Sequence, residues 1–291
     1  MKTAIIGASG FVGSHLLSRY RSRYPDCIGT CFSHRGADLV AFDLREPDVR
    51  PLRLVETGHE AVVITAAQTG IDCCEHDLDA ARINVHGTLE LIGQLGRLGM
   101  HVVFLSTDNV FNGKVGGYSD DSPPDPPMAY GRHKWEIERE IGNLAERHTV
   151  VRLSKTFGLR KGDGTLLDEM ASTLLAGQSI RAAEDLIFSP TWVQDVVEAI
   201  VGILDRDLRG IINVASPEAW SRYDLGVAVA DVLGVKSDLV RRISYSDLQV
   251  SPDRPLNTSL TCDRLRTELE MTFRTVRDCV EEVARNWKDG S

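Results

Sequence analysis

No apolar run in the chain approaches the roughly 20 residues needed to span a bilayer, and the charge balance is not basic. With 33 Lys and Arg against 42 Asp and Glu, the formal net charge is −9. That argues against a nucleic-acid surface, since phosphate backbones are bound mainly by Lys and Arg. None of the six cysteines stands in a Cys-x-x-Cys pair, and adjacent Cys73-Cys74 is poor metal-ligand geometry. Free, largely buried thiols are expected instead. The eight histidines are scattered, with no His-x-x-x-His pair, so no metal site is expected. Met1-Lys2 leads straight into the first apolar run, which leaves no room for a signal peptide. There is no internal repeat and no low-complexity tract. These absences predict a cytoplasmic chain whose partners include neither nucleic acid nor membrane.

What is present centres on the first fifteen residues. Thr3 to Ile6 read as a short buried strand, and Phe11 to Tyr24 as a helix. Between them stand Gly7, Gly10 and Gly13 in Gly-x-x-Gly-x-x-Gly spacing. A strand–turn–helix of this kind lets a pyrophosphate approach the backbone and the helix N-terminus. Gly7, Ser9, Gly10, Phe11, Val12 and Gly13 are therefore candidate cofactor contacts. The same glycines would also serve a purely structural turn.

Further strand candidates are Ile28–Phe32, Ala61–Thr65, Val102–Ser106 and Thr149–Leu153, with helical stretches at Asp79–Leu98 and Tyr130–Arg147. The alternation predicts an α/β fold: a doubly wound parallel sheet of Rossmann type, covered on both faces. Residues 1–153 form its nucleotide-binding domain, completed by parts of 190–235. Residues 154–291 form a smaller C-terminal substrate-binding lobe, with a helix at Leu166–Ala176, a strand at Gly210–Ala215, a helix at Tyr223–Leu233 and an extended Ser251–Leu260.

Ligands of such sheets bind beyond the carboxyl ends of the strands. At the end of the second strand, where NAD-preferring domains place an acid for the ribose 2′-hydroxyl, the chain has Ser33, His34 and Arg35. Arg35 suits a 2′-phosphate, which favours NADP(H) over NAD(H). Asp43 and Leu44 are placed to close over the adenine. Ala66 and Ala67 end the third strand with side chains small enough for a cofactor to lie close, or for helices to pack. Asn84, in the next helix, is a further candidate beside the cofactor.

The Val102–Ser106 strand empties into Ser106-Thr107-Asp108, and the loop that follows ends in Tyr130-Gly-Arg-His-Lys134. Positions i and i+4 share a helix face, so Tyr130 and Lys134 point the same way. An ammonium beside a phenol lowers the phenol pKa, making Tyr130 a candidate proton donor to a carbonyl under reduction. Thr107 is placed to donate to the same oxygen.

With these residues in place the chain resembles the extended short-chain dehydrogenases/reductases, and among them the dTDP-4-dehydrorhamnose reductase group. Ser106-Thr107-Asp108-Asn109-Val110-Phe111-Asn112-Gly113 is similar to that group's Ser-Thr-Asp-Tyr-Val-Phe-Asp-Gly. Pro190-Thr191-Trp192-x-x-Asp195 and Arg254-Pro255-Leu256-Asn257-Thr258-x-Leu260 match its later blocks. The resemblance implies that Thr107, Tyr130 and Lys134 form the catalytic set. It implies that Ser106, Tyr130 and Lys134 also meet the cofactor, with Lys134 on the nicotinamide ribose. It implies a nucleotide-linked keto-sugar substrate between the lobes, with Thr107, Asp108, Asn109, Lys155, Arg254 and Asn257 as its candidate contacts, and a homodimer formed through helices 79–98 and 130–147. Asn109 and Lys155 replace the group's usual Tyr and Trp, which puts rhamnose biosynthesis itself in question. The group also resembles the regulatory subunit of methionine adenosyltransferase, a cofactor-binding protein without turnover. A sugar-nucleotide epimerase or dehydratase is a third reading, disfavoured by the missing acid at 33–35.

Overall fold

In a computed structural model, residues 1–32, 38–248 and 253–288 are described. They fall into two compact units. The first comprises Met1–Val110, Pro124–Arg152 and Val197–Ile212; the second comprises Phe111–Pro123, Leu153–Val196 and the chain from Asn213 onward. The excursion Phe111–Pro123 thus groups with the second unit although it interrupts the first in sequence.

The first unit is built on β1 (Thr3–Ile6), α1 (Phe11–Arg21), β2 (Thr30–Cys31), β3 (Val40–Ala41), β4 (Ala61–Ile64), α2 (Ile71–His76), α3 (Leu78–Ala81), α4 (Thr88–Arg97), β5 (His101–Thr107), α5 (Ala129–Leu144) and β6 (His148–Leu153). The sheet runs in the order β1-β4-β5-β6, followed by the strand Gly210–Val214. β1 pairs parallel with β4 and β4 with β5. On the other side of β1, Ile5 bridges Gly29 in parallel and β2 pairs with β3. The chain therefore winds outward from β1 in one direction and returns to wind outward from β4 in the other. That reversal opens a crevice at the carboxyl ends of β1 and β4, where doubly wound sheets bind nucleotides.

The middle residues of β1, β4, β5 and β6 are apolar because the sheet is buried on both faces. Ala4, Ile6, Val62, Ile64, Val102 and Phe104 pack in one core with Leu91, Ile92 and Leu95 of α4 and Ile137 and Ile141 of α5. The helical residues recur at helix-face spacing, and each fully buried aliphatic side chain contributes about 1.5–3 kcal/mol. The expected helix over 79–98 is three pieces: α3, a π-helical turn at Arg82–Gly87, and α4. A π-turn inserts an extra residue per turn, and here Thr88 Oγ1 donates back to the Ile83 carbonyl at 3.0 Å. The expected strand at 28–32 is shorter, only Thr30–Cys31.

In the second unit, helices Leu166–Leu175, Arg222–Leu233 and Val276–Lys288 share a core containing Leu167, Met170, Leu225, Val229, Val280 and Val283. Strand Ile180–Ala183 pairs in parallel with Val240–Ile243. Ser221 caps the middle helix by accepting from Asp224 N at 2.9 Å, and Gly234 ends it in the left-handed conformation. The segment expected to be extended forms single bridges at Asn257 and Leu260 rather than a strand. Among the described residues no helix is long and apolar enough to cross a membrane.

Candidate active site

The glycine turn is built by contacts that a side chain would block. Gly7 has φ +91°, a left-handed conformation, and a Cβ there would lie 2.7 Å from Ala66 N. A Cβ on Gly13 would lie 2.3 Å from the Gly7 carbonyl oxygen. The turn is held from below by Thr65, whose hydroxyl lies 2.9 Å from the Ile6 carbonyl and 3.0 Å from that of Gly7. Gly10 precedes α1 and supplies no side-chain cap. The first-turn amides of Phe11, Val12 and Gly13 have no carbonyl ahead of them in the helix, which leaves them for an anion. Gly13→Ala should force the helix back from the turn, costing about 1–3 kcal/mol of stability by overpacking. Dinucleotide affinity should drop about tenfold or more; urea unfolding and fluorescence titration of the variant read both effects.

A cleft of about 310 Å³ opens beside this turn, lined among others by Gly7, Ser9, Gly10, Asp43, Leu44, Ala66 and Ala67. Phe32, Phe42 and Ile83 add apolar walls, and Thr30, Thr65, Gln68 and Arg45 add polar groups. Its volume is in the usual range for small-molecule sites. Flat apolar walls beside a turn where a Cβ would clash fit the adenosine and pyrophosphate of a dinucleotide. Ser33, His34 and Arg35 lie outside the described residues.

Asn84 does not line the cleft. It is buried, accepting from Gln68 N at 2.8 Å and donating to the Gln68 carbonyl at 2.8 Å. The π-turn that carries it aims this amide at the loop after β4, so Asn84 fixes the cleft wall from behind. Ser106 is likewise turned inward, giving its hydroxyl to Glu138.

At the end of β5, Thr107 and Asp108 are buried. Thr107 Oγ1 lies 3.2 Å from Asp108 Oδ1, and the Asn109 amide donates to both, at 3.0 and 2.8 Å. Tyr130 packs against the small cluster of Cys74, Ala80 and Ala129. Lys134, one helical turn on, is buried beneath it, with its ammonium 5.9 Å from the Tyr130 ring centroid and 4.5 Å from that of Phe104. Lys134 Nζ donates to the Leu105 carbonyl at 2.7 Å. Burial pushes Lys134 down to about 8, opposed by the Glu138 carboxylate and by Cys74.

The phenol departs from the sequence reading. Burial, then the Asp108 carboxylate, then Cys74 raise the Tyr130 pKa rather than lower it. The ammonium sits over the ring and is bonded to a backbone carbonyl, so it does not depress the phenol. Tyr130 therefore holds its proton throughout the neutral range.

Beneath this set lies a pair that spacing rules did not flag. Arg152 Nη2 and Glu138 Oε2 are 2.7 Å apart, with side chains only 1% and 2% exposed. Glu138 lies one turn beyond Lys134 on α5, so its helix face was readable; Arg152, on the next strand, was not.

Of the residues expected at the substrate, Thr107, Asp108 and Asn109 belong to the first unit, and Lys155, Arg254 and Asn257 to the second. Lys155 is exposed and Arg254 half-buried. The Asn257 side chain accepts from Ser259 Oγ at 2.8 Å and donates to the Val115 carbonyl at 3.4 Å, which ties the loop after Phe111 to the 253–260 segment. Arg222 was missed. It is half-buried at the start of its helix, held below the ordinary arginine range by burial, against the Glu169 carboxylate and with the nearby Arg254 cation. Arg222 and Arg254 thus bring two cations near each other in the second unit, with the Glu169 carboxylate beside Arg222.

The parallel sheet and the glycine turn with its cleft fit the extended short-chain dehydrogenase/reductase class. Residues 1–288 match the RmlD substrate binding domain family, and the chain belongs to that family. It is similar to a probable low-salt glycan biosynthesis reductase of Haloferax volcanii, 26% identical over the whole of both chains. It is similar to methionine adenosyltransferase 2 subunit beta of Danio rerio, 26% identical over 91% of this chain and 84% of that one. Its fold is that of a dTDP-4-dehydrorhamnose reductase from Bacillus anthracis solved in complex with NADP, with a TM-score of 0.80, 22% identity, and coverage of 99% of this chain and 100% of that one.

Proposed function

We propose that the chain is an NADP(H)-dependent reductase acting on the keto group of a nucleotide-linked or similarly modified sugar. The observation that carries the reading is the buried Lys134 one helical turn from Tyr130, its ammonium 5.9 Å from the ring centroid, in the same unit as the glycine cleft and as the buried Thr107 at the end of β5. When bound, the cofactor supplies the hydride; the protein orients the reactants and manages charge and protons. Gly7, Ser9, Gly10 and the first turn of α1 hold the pyrophosphate, and Lys134 holds the nicotinamide ribose. The Thr107 hydroxyl, oriented by Asn109, turns from Asp108 to the substrate carbonyl oxygen. Tyr130 gives its proton to that oxygen as negative charge develops there. Arg222 and Arg254 take the nucleotide phosphates, a role that planar guanidinium groups suit. A homodimer through α4 and α5 belongs to the same reading.

The likeness to methionine adenosyltransferase 2 subunit beta favours a second reading, a nucleotide-binding subunit without turnover. The two separate experimentally. Wild-type protein is titrated with NADPH and NADH by fluorescence, then screened against dTDP- and UDP-linked 4-keto-sugars. Tighter binding of NADPH with substrate-dependent oxidation is the expected result. Binding without turnover on any keto-sugar would favour the subunit reading, and binding of neither cofactor would end both.

A further inference from the structure

The adenosine end of the cleft contains a cation whose position the strand-end rule does not anticipate. In doubly wound sheets the residue that reads the ribose 2′ position follows the second strand. Phe32 is the last described residue of that strand end, it is 59% exposed, and it lines the cleft. Arg45, which follows β3, lays its guanidinium over the Phe32 ring at 4.8 Å from the centroid. The guanidinium therefore stands at the β2 end, although its residue is thirteen positions further along the chain.

Its orientation is set by Asp43. Arg45 Nε is 3.0 and 3.1 Å from the two Asp43 carboxylate oxygens, Nη2 is 2.7 Å from Oδ2, and the Arg45 backbone N–H donates to Oδ1 at 2.9 Å. The carboxylate thus takes the Nε–Nη2 edge. Among the described residues Nη1 has no hydrogen-bond partner, so the Nη1–Nη2 edge stays available. Asp43 is also the one acid among the described residues lining the cleft. Unpaired, it would repel a phosphate; paired with Arg45, it neutralises its own charge and aims the remaining edge of the fork. A guanidinium held at one edge and stacked on one face is preorganised for bidentate contact with a phosphate.

We propose that Arg45, braced by Asp43 and Phe32, is the receptor for the adenosine 2′-phosphate and so sets the preference for NADP(H) over NAD(H). This rests on the dinucleotide reading of the cleft. It differs from a strand-end rule that assigns the phosphate to Arg35 alone. The arrangement also gives Asp43 a second part, as the positioning residue for Arg45.

The test needs no sugar substrate. Calorimetric titration of wild type, Arg45→Ala, Arg45→Lys and Arg35→Ala uses 2′,5′-ADP and 5′-AMP as probes, which share the adenosine and differ in the 2′-phosphate, with NADH as a check on the cleft. The expected result is a loss of about 10- to 100-fold in 2′,5′-ADP affinity in Arg45→Ala, the usual range for a charged hydrogen-bonded contact, with a much smaller loss for 5′-AMP and NADH, whose phosphates feel only the unpaired Asp43. Arg45→Lys, which keeps the charge but not the fork, should fall between. Because Arg45 is a surface side chain, Arg45→Ala should remain folded. An unchanged ratio of the two probes in Arg45→Ala, or a loss confined to Arg35→Ala, overturns the assignment. A wild-type protein that binds both probes equally overturns it too, while NADH binding would leave the dinucleotide reading standing. If wild type binds none of the nucleotides, the dinucleotide reading itself fails.

Discussion

Tyr130→Phe is expected to reduce turnover of a keto-sugar by about 10²- to 10⁴-fold, the ordinary value of a positioned proton donor, with a much smaller effect on NADPH affinity. The ring stays, so its packing on Cys74, Ala80 and Ala129 is kept and only the phenolic proton goes. The structure sharpens what the pH dependence should look like. Burial and Asp108 raise the Tyr130 pKa, so the phenol does not ionise in the neutral range and produces no alkaline limb there. Lys134 does. Its pKa is depressed by burial to about 8, with Glu138 and Cys74 acting the other way. A depressed lysine is charged below that value and neutral above it. If Lys134 holds the nicotinamide ribose as an ammonium, NADPH binding weakens as pH rises through about 8, in wild type and Tyr130→Phe alike. A limb that disappears in Tyr130→Phe would mean the phenol, not the lysine, is titrating, and the assignment of roles would fail.

The second large effect concerns stability. Arg152→Met should destabilise the protein by about 3–5 kcal/mol, the cost of stranding a buried charge without its partner. The stranded group is Glu138, 2% exposed and otherwise bonded to Ser106. The pair itself is no great source of stability, since desolvation offsets most of its attraction. The double variant Arg152→Met/Glu138→Leu should therefore recover much of the loss in urea unfolding. A double variant as unstable as the sum of its singles would mean the pair is not coupled as the geometry indicates. Removing Glu138 also removes the carboxylate that supports the Lys134 charge, so the recovered double variant should lose NADPH binding at a lower pH than wild type.

Which parts of the site could be read without the fold depends on how far apart their residues lie in sequence. The glycine turn occupies seven consecutive positions, and Tyr130 and Lys134 are one helical turn apart, so local rules located both. The parallel sheet followed from apolar runs alternating with helical patterns, because strands covered on both faces show no polar alternation. Asn84 was noticed as a residue near the cofactor, but its bonding to the backbone of Gln68 was not readable. A π-turn, which no helical periodicity announces, rotates its amide toward Gln68.

What the amino-acid sequence determined by itself was the class of fold, the glycine turn between β1 and α1, and the shared helix face of Tyr130 and Lys134. The first follows from strand and helix patterns alternating along the chain, and the other two from a contiguous motif and one turn of a helix. Only the tertiary structure decided the electrostatics. The direction of the Tyr130 shift comes first from burial and then from Asp108, which follows β5. The pairing of Glu138 with Arg152 joins a helix to the next strand. Arg45 reaches back over Phe32 across a segment that links two strands. These are through-space effects between residues whose separation in sequence bears no relation to their separation in the fold, and Coulomb's law depends on the second distance only.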